Sequence, residues 1–320
     1  MTRIFTDGAE FGDVLFWDDS TTVTASLTTP RSGTYCYSAR ECAKNFPALS
    51  ELYFRWGIDC DYIWGTTTLF IRYNSTIIFR LIEGTGHHLE AYVGAGKVAT
   101  GTLTMIDGWN LIEVHLLIND STGKIQVKVN GILDIDYSGD TQPGAETTVN
   151  NIYVSNGGSY AIDDLALNDT NGSFDNSWCG DGHVEILVPN ADGDVNDWMG
   201  SDGDKINNWQ LVDEIPSTGD TDYVTTSGYG VQDMYNLGTF TDTNKIITRI
   251  IPGVRAKDSS ALGGIMKVGY KTGGVVYLGS GIALSSNYID VRGDSVRVNP
   301  SGLAWTKADL DALQIVIECE

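Results

Sequence analysis

The sequence predicts an all-β protein, and three observations lead to this prediction. The chain of 320 residues is rich in glycine, with 37, and poor in proline, with 7. Apolar and polar side chains alternate in many short segments, which is the period of a β-strand. Sustained 3.6-residue periodicity, which marks amphipathic helices, is almost absent. The length suffices for two domains with separate hydrophobic cores.

The clearest strand pattern lies in residues 108–131, where two alternating apolar runs flank a polar loop. The apolar positions are Ile112, Val114, Leu116 and Ile118 in the first run and Ile125, Val127 and Val129 in the second. The loop at 119–123 ends in glycine, which suits a hairpin. Asn130-Gly131 predicts a second tight turn. We therefore expect an antiparallel meander with one buried face.

Similar strands precede and follow this meander within residues 1–173, the predicted first domain. Alternation at Leu52, Phe54, Trp56 and Ile58 predicts a half-buried strand, and further short strands recur about every ten residues. The last two strands predicted for this domain are residues 149–154 and 160–167. In contrast, we expect residues 39–45 to form one helical turn, which Pro47 would end.

The first domain resembles a known fold family. The run GWNLIEVHLLINDSTGKIQVKVNG and the later segment IDDLALND resemble the concanavalin A-like (laminin-G-type) jelly roll over roughly residues 1–172. This resemblance implies an all-β jelly-roll sandwich. It leaves function open, because lectins, glycanases and spacer domains share the fold.

The second predicted domain, residues 174–320, resembles another family. Its segments GDGHVEILVPNADGD, NNWQLVDE, GDTDYVTT and GLAWT are similar to a C-terminal module of tailed-bacteriophage and prophage virion proteins. The resemblance implies a second β-sandwich in a virion structural protein of the minor tail, fibre or decoration type. Near its end, Thr306 as N-cap and Asp309 three residues later predict a short helix before a final strand at 314–318.

Net charge and cysteine content exclude some classes of partner and predict the state of the thiols. The formal net charge is −22, and neither half carries a basic patch, so we expect neither nucleic-acid binding nor attraction to an anionic membrane surface. No run approaches the 18 apolar residues of a membrane span, and no signal peptide is apparent. The five cysteines are odd in number and form no CxxC pair. We therefore expect buried free thiols in a protein made in a bacterial cytoplasm.

Catalytic motifs are missing from the sequence. The E-x-D-x-E strand of laminarinase-like glycanases, which places three carboxylates on one strand face, does not occur. Glu113 is followed by His115 and Leu117, and the adjacent Asp163 and Asp164 are expected to point to opposite faces. No nucleophile elbow, P-loop or zinc-protease motif occurs. We therefore expect a protein that is not an enzyme and has no catalytic residues.

Calcium is the one cofactor that the sequence suggests. Asp192, Asp194 and Asn196 alternate in a segment rich in oxygen ligands. An EF-hand does not fit, because Val195 stands where that loop requires glycine. The alternative interpretation is a solvated acidic loop without metal. Otherwise no cofactor is expected.

Glycan binding is predicted from aromatic residues. Rings that stack on the C–H faces of sugars occur at four positions expected on one concave face: Tyr53, Tyr62, Trp64 and Tyr92. The alternative is that these rings fill cores or subunit contacts, because two sandwiches need many aromatic residues.

Together these features lead to the functional expectation. The main hypothesis is a non-enzymatic virion component, a homo-oligomer that docks on other virion proteins and binds surface glycans or partner proteins. Repeated copies would strengthen weak contacts through avidity. Two alternatives remain: a soluble carbohydrate-binding lectin and a glycan hydrolase.

Overall fold

The computed structural model describes residues 3–20, 22–60, 67–241, 244–260 and 263–320. Strands make up 51% and helices 4% of the structure, which confirms the prediction of an all-β protein. The chain forms two compact units, Met1–Glu185 and Ile186–Glu320. The predicted boundary between the two domains lies after residue 173. In the structure, residues 174–185 pack on the first unit.

In its described residues, the first unit contains twelve strands, all paired antiparallel. They are β1 (Arg3–Asp7), β2 (Val23–Ser26), β3 (Cys36–Leu49), β4 (Glu51–Cys60), β5 (Thr67–Tyr73), β6 (Thr76–Glu83), β7 (His88–Val93), β8 (Gly96–Thr104), β9 (Gly108–Leu117), β10 (Gly123–Val129), β11 (Ile132–Gly139) and β12 (Val149–Asn168). The predicted helical turn at 39–45 is wrong, because these residues lie in β3. There β3 pairs with β12 along one edge and with β2 along the other, and this pairing outweighs local helix propensity.

Strand β12 joins the two layers of the sandwich. One edge pairs with β3 between residues 149 and 162 and with β1 between residues 165 and 168. The other edge pairs first with β5, at residues 151–153, and then with β4, at residues 162–168. Layer A is therefore β11-β10-β9-β4-β12, and layer B is β12-β5-β6-β7-β8. At the edge opposite β12, strand β8 of layer B contacts strand β11 of layer A. There the backbone N–H of Thr102 donates to Asp134 Oδ1 at 2.7 Å.

The core of this unit lies between the layers and follows the predicted alternation. Every apolar position predicted for the inner face of β4, β9 and β10 is buried, which confirms the meander and its register. Layer B supplies the facing side chains: Leu69, Ile71, Phe79, Leu81, Leu89 and Ala91. Because side chains alternate along a strand, the residues between these positions point out of the sandwich.

The second unit is also built of antiparallel sheets. Its strands are β13 (Pro189–Asn196), β14 (Met199–Gly200), β15 (Val224–Thr225), β16 (Gln232–Leu237), β17 (Gly253–Ala256), β18 (Ile265–Thr272), β19 (Val275–Leu278), β20 (Ile282–Ala283), β21 (Ile289–Arg292) and β22 (Gln314–Cys319). The main sheet has the order β13-β16-β22-β18-β19. A β17–β21 pair contributes Ala256 and Val291 to the core that Val268 and Ile317 form on the main sheet.

Helix α1 (Lys307–Asp311) precedes the last strand, as predicted. The Thr306 side chain accepts from the Asp309 backbone, and the Asp309 side chain accepts from the Thr306 backbone. This reciprocal capping box satisfies two N–H groups that the first helical turn would leave unpaired. Among the described residues, no helix has the length and apolar character needed to cross a membrane.

Candidate functional site

The outward side of layer B carries a row of aromatic and cationic side chains. Cross-strand pairing places Tyr153 of β12 opposite Phe70 of β5, Phe70 opposite Arg80 of β6, Arg80 opposite Tyr92 of β7, and Tyr92 opposite Lys97 of β8. We call these five residues the outer row. Lys97 is exposed and the other four are half-buried. One row therefore presents rings and cations from five adjacent strands.

Two arginines stack on rings of this face. The Arg80 Cζ atom lies 4.3 Å from the centroid of the Tyr92 ring. Arg72, two residues after Phe70, places its Cζ atom 3.6 Å from the Tyr153 ring centroid and 5.2 Å from that of Phe70. Such stacking uses the flat face of a guanidinium, whereas its N–H groups point outward in the plane. The rings thus hold both guanidinium groups in defined positions.

Neither arginine has an acidic partner in the described part of the chain. There, no carboxylate oxygen lies within 4.0 Å of the guanidinium nitrogens of Arg72 or Arg80. The polar contact of Arg80 is a donation from Nη2 to the Ala95 carbonyl at 3.4 Å. Burial lowers the pKa of Arg72, and contacts with Tyr153 and the charge of Glu41 partly offset this effect. Both positive charges thus lack an adjacent counter-ion among the described residues, although the whole chain is acidic.

A carboxylate completes the face at the β7–β8 end. The Tyr92 hydroxyl donates to Glu90 Oε2 at 2.7 Å, and Lys97 Nζ donates to Glu90 Oε1 at 3.0 Å. These two hydrogen bonds lower the pKa of Glu90. The hydrogen bond between Tyr92 and Glu90 also raises the pKa of Tyr92. At neutral pH the pair is therefore a carboxylate and a protonated phenol. The carboxylate can accept from a ligand hydroxyl, and the Tyr92 ring offers an apolar surface.

The predicted glycan-binding tyrosines lie in different layers. Tyr92 belongs to the outer row of layer B. Tyr53 lies on β4 in layer A, where its ring stacks on His115 at 4.2 Å and meets the edge of Trp178 at 5.4 Å. Burial raises the pKa of Tyr53. The other two positions, Tyr62 and Trp64, lie outside the described residues. The structure therefore does not bring Tyr53 and Tyr92 together.

The outward side of layer A is covered by residues 174–185. The Gly180 backbone N–H donates to Glu113 Oε1 at 2.8 Å, and Arg55 Nη1 donates to the Gly180 carbonyl at 2.9 Å. Lys128 Nζ lies 3.8 Å from the Trp178 ring centroid. This segment occupies the positions where a ligand on layer A would bind. Layer B is therefore the better candidate for a binding face.

A buried carboxylate cluster anchors this covering segment. Asp164 accepts from Arg31 Nη1 at 2.6 Å and from the Ser32 hydroxyl at 2.9 Å, while Asp163 accepts from the backbone N–H of Arg31 at 3.0 Å. The prediction that the two aspartates point to opposite faces is wrong. A bulge with φ of 51° at Asp164 brings both carboxylates to the same loop. Arg31 also pairs with Asp181, which ties residues 174–185 to the cluster.

Two acidic groups of this cluster have raised pKa values. Burial raises the pKa of Glu10 to about 7, against the opposing effect of backbone N–H donors from Thr34 and Tyr35. Burial, followed by the neighbouring charge of Asp164, raises the pKa of Asp163. All the described partners of these carboxylates belong to the protein's own loops, so we assign the cluster a structural role.

The predicted calcium ligands lie on β13 in the second unit. Asp192 accepts from the backbone N–H of Asn207 at 2.7 Å. Asp194 accepts from Gln314 Nε2 at 3.0 Å and pairs with Lys271. Asn196 follows a register shift in the pairing of β13 with β16, and its Oδ1 is buried without a hydrogen-bond partner. Among the described residues, no group of three or more acidic, histidine or cysteine side chains is arranged to hold a metal. Calcium binding remains a prediction from sequence.

The described cysteines are free thiols. They are Cys36, Cys42, Cys179 and Cys319. Burial raises the pKa of each of them. At neutral pH these side chains are therefore protonated, weak nucleophiles.

Comparisons with known proteins give structural similarities only. No protein-family model and no curated protein matches the chain. An endo-β-1,4-glucuronan lyase of the fungus Trichoderma reesei is similar at 11% identity and a TM-score of 0.40, over 52% of this chain and 95% of that one. The alginate lyase Aly36B is similar at 12% identity and a TM-score of 0.36, over 53% of this chain and 93% of that one. The Caenorhabditis elegans galectin LEC-6 is similar at 13% identity and a TM-score of 0.30, over 39% of this chain and 88% of that one.

These similar structures are carbohydrate-active or carbohydrate-binding proteins, and two of them are polysaccharide lyases. The expectation that the chain is not an enzyme is contradicted by this finding, and we withdraw it. That expectation relied on the absence of the motif of one glycanase family, and one fold can support several chemistries with different residues. At these identities and TM-scores, the similarities give no argument about a reaction or a substrate.

Proposed function

We propose that the protein binds glycans through the outer row of layer B. The observation that carries the proposal is the cross-strand alternation of rings and charged groups on a partly exposed sheet face. A sugar ring has an apolar C–H face and a rim of hydroxyl groups, so aromatic stacking and charged hydrogen-bonding groups recognise it together. Tyr92 offers an aromatic ring, and Glu90 beside it and Arg80 on its ring offer charged hydrogen-bonding groups.

The size of the face suits an oligosaccharide. Adjacent strands lie about 4.8 Å apart, and the row crosses five strands. It therefore extends over roughly 19 Å, several times the width of one sugar ring. Tyr153 and Phe70 lie at one end, with ring centroids 5.7 Å apart, and Tyr92 lies towards the other. We infer that a bound chain crosses the strands and contacts both aromatic ends.

For the biological setting, we propose a tailed-bacteriophage particle. The support is the sequence resemblance of residues 174–320 to virion proteins, carried by the four motifs given above. In this setting the first unit would contact surface glycans, and repeated copies on a particle would raise the effective affinity of each weak site. Detection of the chain in purified particles by mass spectrometry and immunogold labelling tests this assignment separately from glycan binding.

A glycan array followed by calorimetry tests the main proposal. We expect the wild-type chain to bind at least one array glycan and Tyr92→Ala to weaken that binding at least 10-fold, because a ring that stacks on the sugar is lost. Tyr229→Ala is the matched control, since Tyr229 is a tyrosine of the second unit with 80% of its surface exposed. Equal affinities of the two variants would refute the assignment to the outer row. Chain-length analysis of the glycan after incubation shows whether binding is accompanied by cleavage.

A further inference from the structure

We propose that the outer row binds a carboxylate-bearing glycan and that Arg72 and Arg80 recognise the carboxylates. This inference deepens the proposed glycan function and rests on it. It follows from the charges and geometry of the two guanidinium groups rather than from the aromatic rings. A neutral oligosaccharide would use the rings equally well and would give the arginines no anionic partner.

The charges around the two arginines favour an anionic ligand. The chain carries a formal net charge of −22, and an isolated cation in such a protein readily finds a carboxylate. Lys97 does so, since it pairs with Glu90 at 3.0 Å. Arg72 and Arg80 have no such partner within 4.0 Å in the described part of the chain. Within the described structure, two positive charges on this face thus have no carboxylate beside them, and a ligand anion can pair with them.

The positions of the two arginines also favour a ligand with carboxylates. Arg72 follows Phe70 by two residues on the same strand face, and Phe70 lies directly opposite Arg80. The two arginines therefore lie on the same outward face of adjacent strands, on either side of a register shift between Ile71 and Arg72. Both are fixed by ring stacking, at 3.6 Å from Tyr153 and 4.3 Å from Tyr92. Pre-positioned guanidinium groups lose little freedom on binding, which favours a planar, bidentate acceptor.

Partial burial also favours an anionic ligand at these groups. Arg72 and Arg80 are half-buried, and burial lowers the pKa of Arg72. The Nε atoms of Arg72 and Arg80 are buried and make no hydrogen bond. A ligand cannot reach these buried Nε atoms, so a carboxylate would pair with the Nη groups, where a charge-assisted hydrogen bond is stronger than a neutral one. A carboxylate matches the flat donor edge of a guanidinium, and the neighbouring rings suit a sugar ring better than a nucleic-acid backbone.

The test compares acidic polysaccharides with their neutral derivatives. Hyaluronan, polygalacturonate and polysialic acid are titrated into the full chain by calorimetry at fixed salt. The two uronate polymers are also tested after chemical reduction of their carboxyl groups to alcohols, which retains the backbone and removes the charge. We expect at least one acidic polymer to bind. For a uronate polymer, we expect its reduced form to bind at least 10-fold more weakly.

Substitutions then assign the recognition to the two arginines. We expect Arg72→Gln and Arg80→Gln each to reduce affinity for the acidic polymer about 10-fold or more, because a charge-assisted hydrogen bond is lost. Arg72→Lys and Arg80→Lys retain the charge but lose the bidentate edge, so an intermediate loss is expected. The circular dichroism spectrum and thermal midpoint of every variant check the fold. The Lys variants keep the test decisive if a Gln variant fails to fold.

The outcomes separate this inference from the proposed function. If neutral and acidic glycans bind equally and Tyr92→Ala abolishes both, glycan binding at the outer row stands and carboxylate recognition is refuted. If dextran sulfate or a DNA duplex binds as tightly as the carboxylated polymers, the face is a general polyanion site and the inference is also refuted. If none of the acidic polymers binds, carboxylate recognition fails, and the array result alone decides glycan binding.

Discussion

Glu10 offers a quantitative prediction about the stability of the first unit. The residue is 4% exposed, and its carboxylate accepts from the backbone N–H groups of Thr34 at 3.0 Å and Tyr35 at 3.2 Å. Burial nevertheless raises its pKa from 4.5 to about 7. The folded state therefore holds a proton on Glu10 at pH values where the unfolded chain has already released it.

The sign of the pH effect follows from this difference. A raised pKa in the folded state means that the stabilisation is fully present below pH 4.5 and is lost as the pH rises through about 7. Each pKa unit corresponds to about 1.4 kcal/mol, so the loss amounts to up to about 3 kcal/mol. The raised pKa of Asp163 adds a loss of the same sign that extends to higher pH.

Glu10→Gln isolates the contribution of this one group. The variant keeps an oxygen acceptor for Thr34 and Tyr35 but does not titrate, so the free energy of unfolding should fall less between pH 5 and pH 8 than in the wild type. Urea unfolding at both pH values, monitored by tryptophan fluorescence, measures the difference. Asp120→Asn, in an exposed loop of the same unit, is the control and should leave the slope unchanged. An identical pH dependence in wild type and Glu10→Gln would refute the reasoning.

Three further predictions concern the core, the helix cap and the thiols. Phe54→Ala removes a fully buried ring that stacks on Trp56, and urea unfolding should show a loss of about 3–5 kcal/mol; a loss below 1 kcal/mol would contradict the described core. Thr306→Ala removes the helix cap and should destabilise the second unit by about 1 kcal/mol, whereas Thr306→Ser should not. The last prediction concerns the buried thiols in Cys36→Ser and Cys42→Ser. In the native protein, neither substitution should change the number of thiols that react with a disulfide reagent, whereas in denaturant each should lower that number by one. A lower number of reactive thiols in a native variant would show that the replaced thiol is accessible.

Local pattern was sufficient to predict β4, β9 and β10 and the face that each one buries. Leu52, Phe54 and Trp56 are buried because a strand with one apolar side has one stable orientation against a core. The predicted turn at 39–45 failed for the opposite reason. That segment contains residues that also suit a helix, and its conformation is decided by pairing with β2 and β12, which lies more than 100 residues away in sequence.

The candidate site could be predicted only in part. Tyr92 was identified as a ring suited to sugars, but Arg72 and Arg80 were not, because their role depends on the rings of Tyr153 and Tyr92 on neighbouring strands. Cross-strand register is a property of the folded sheet and is not encoded in a single local pattern. The bulge at Asp164 is a similar case, since one extra residue reverses the direction that simple alternation assigns.

The measurement that tests the central claim most directly is hydrogen–deuterium exchange of the full chain with and without a glycan selected on the array. The account predicts slower exchange in β5 to β8 on binding, with no change in β9 to β11 of layer A. It also predicts that Tyr92→Ala abolishes this protection at the same glycan concentration. Protection confined to layer A, or to residues 186–320, would contradict the assignment of glycan binding to the outer row.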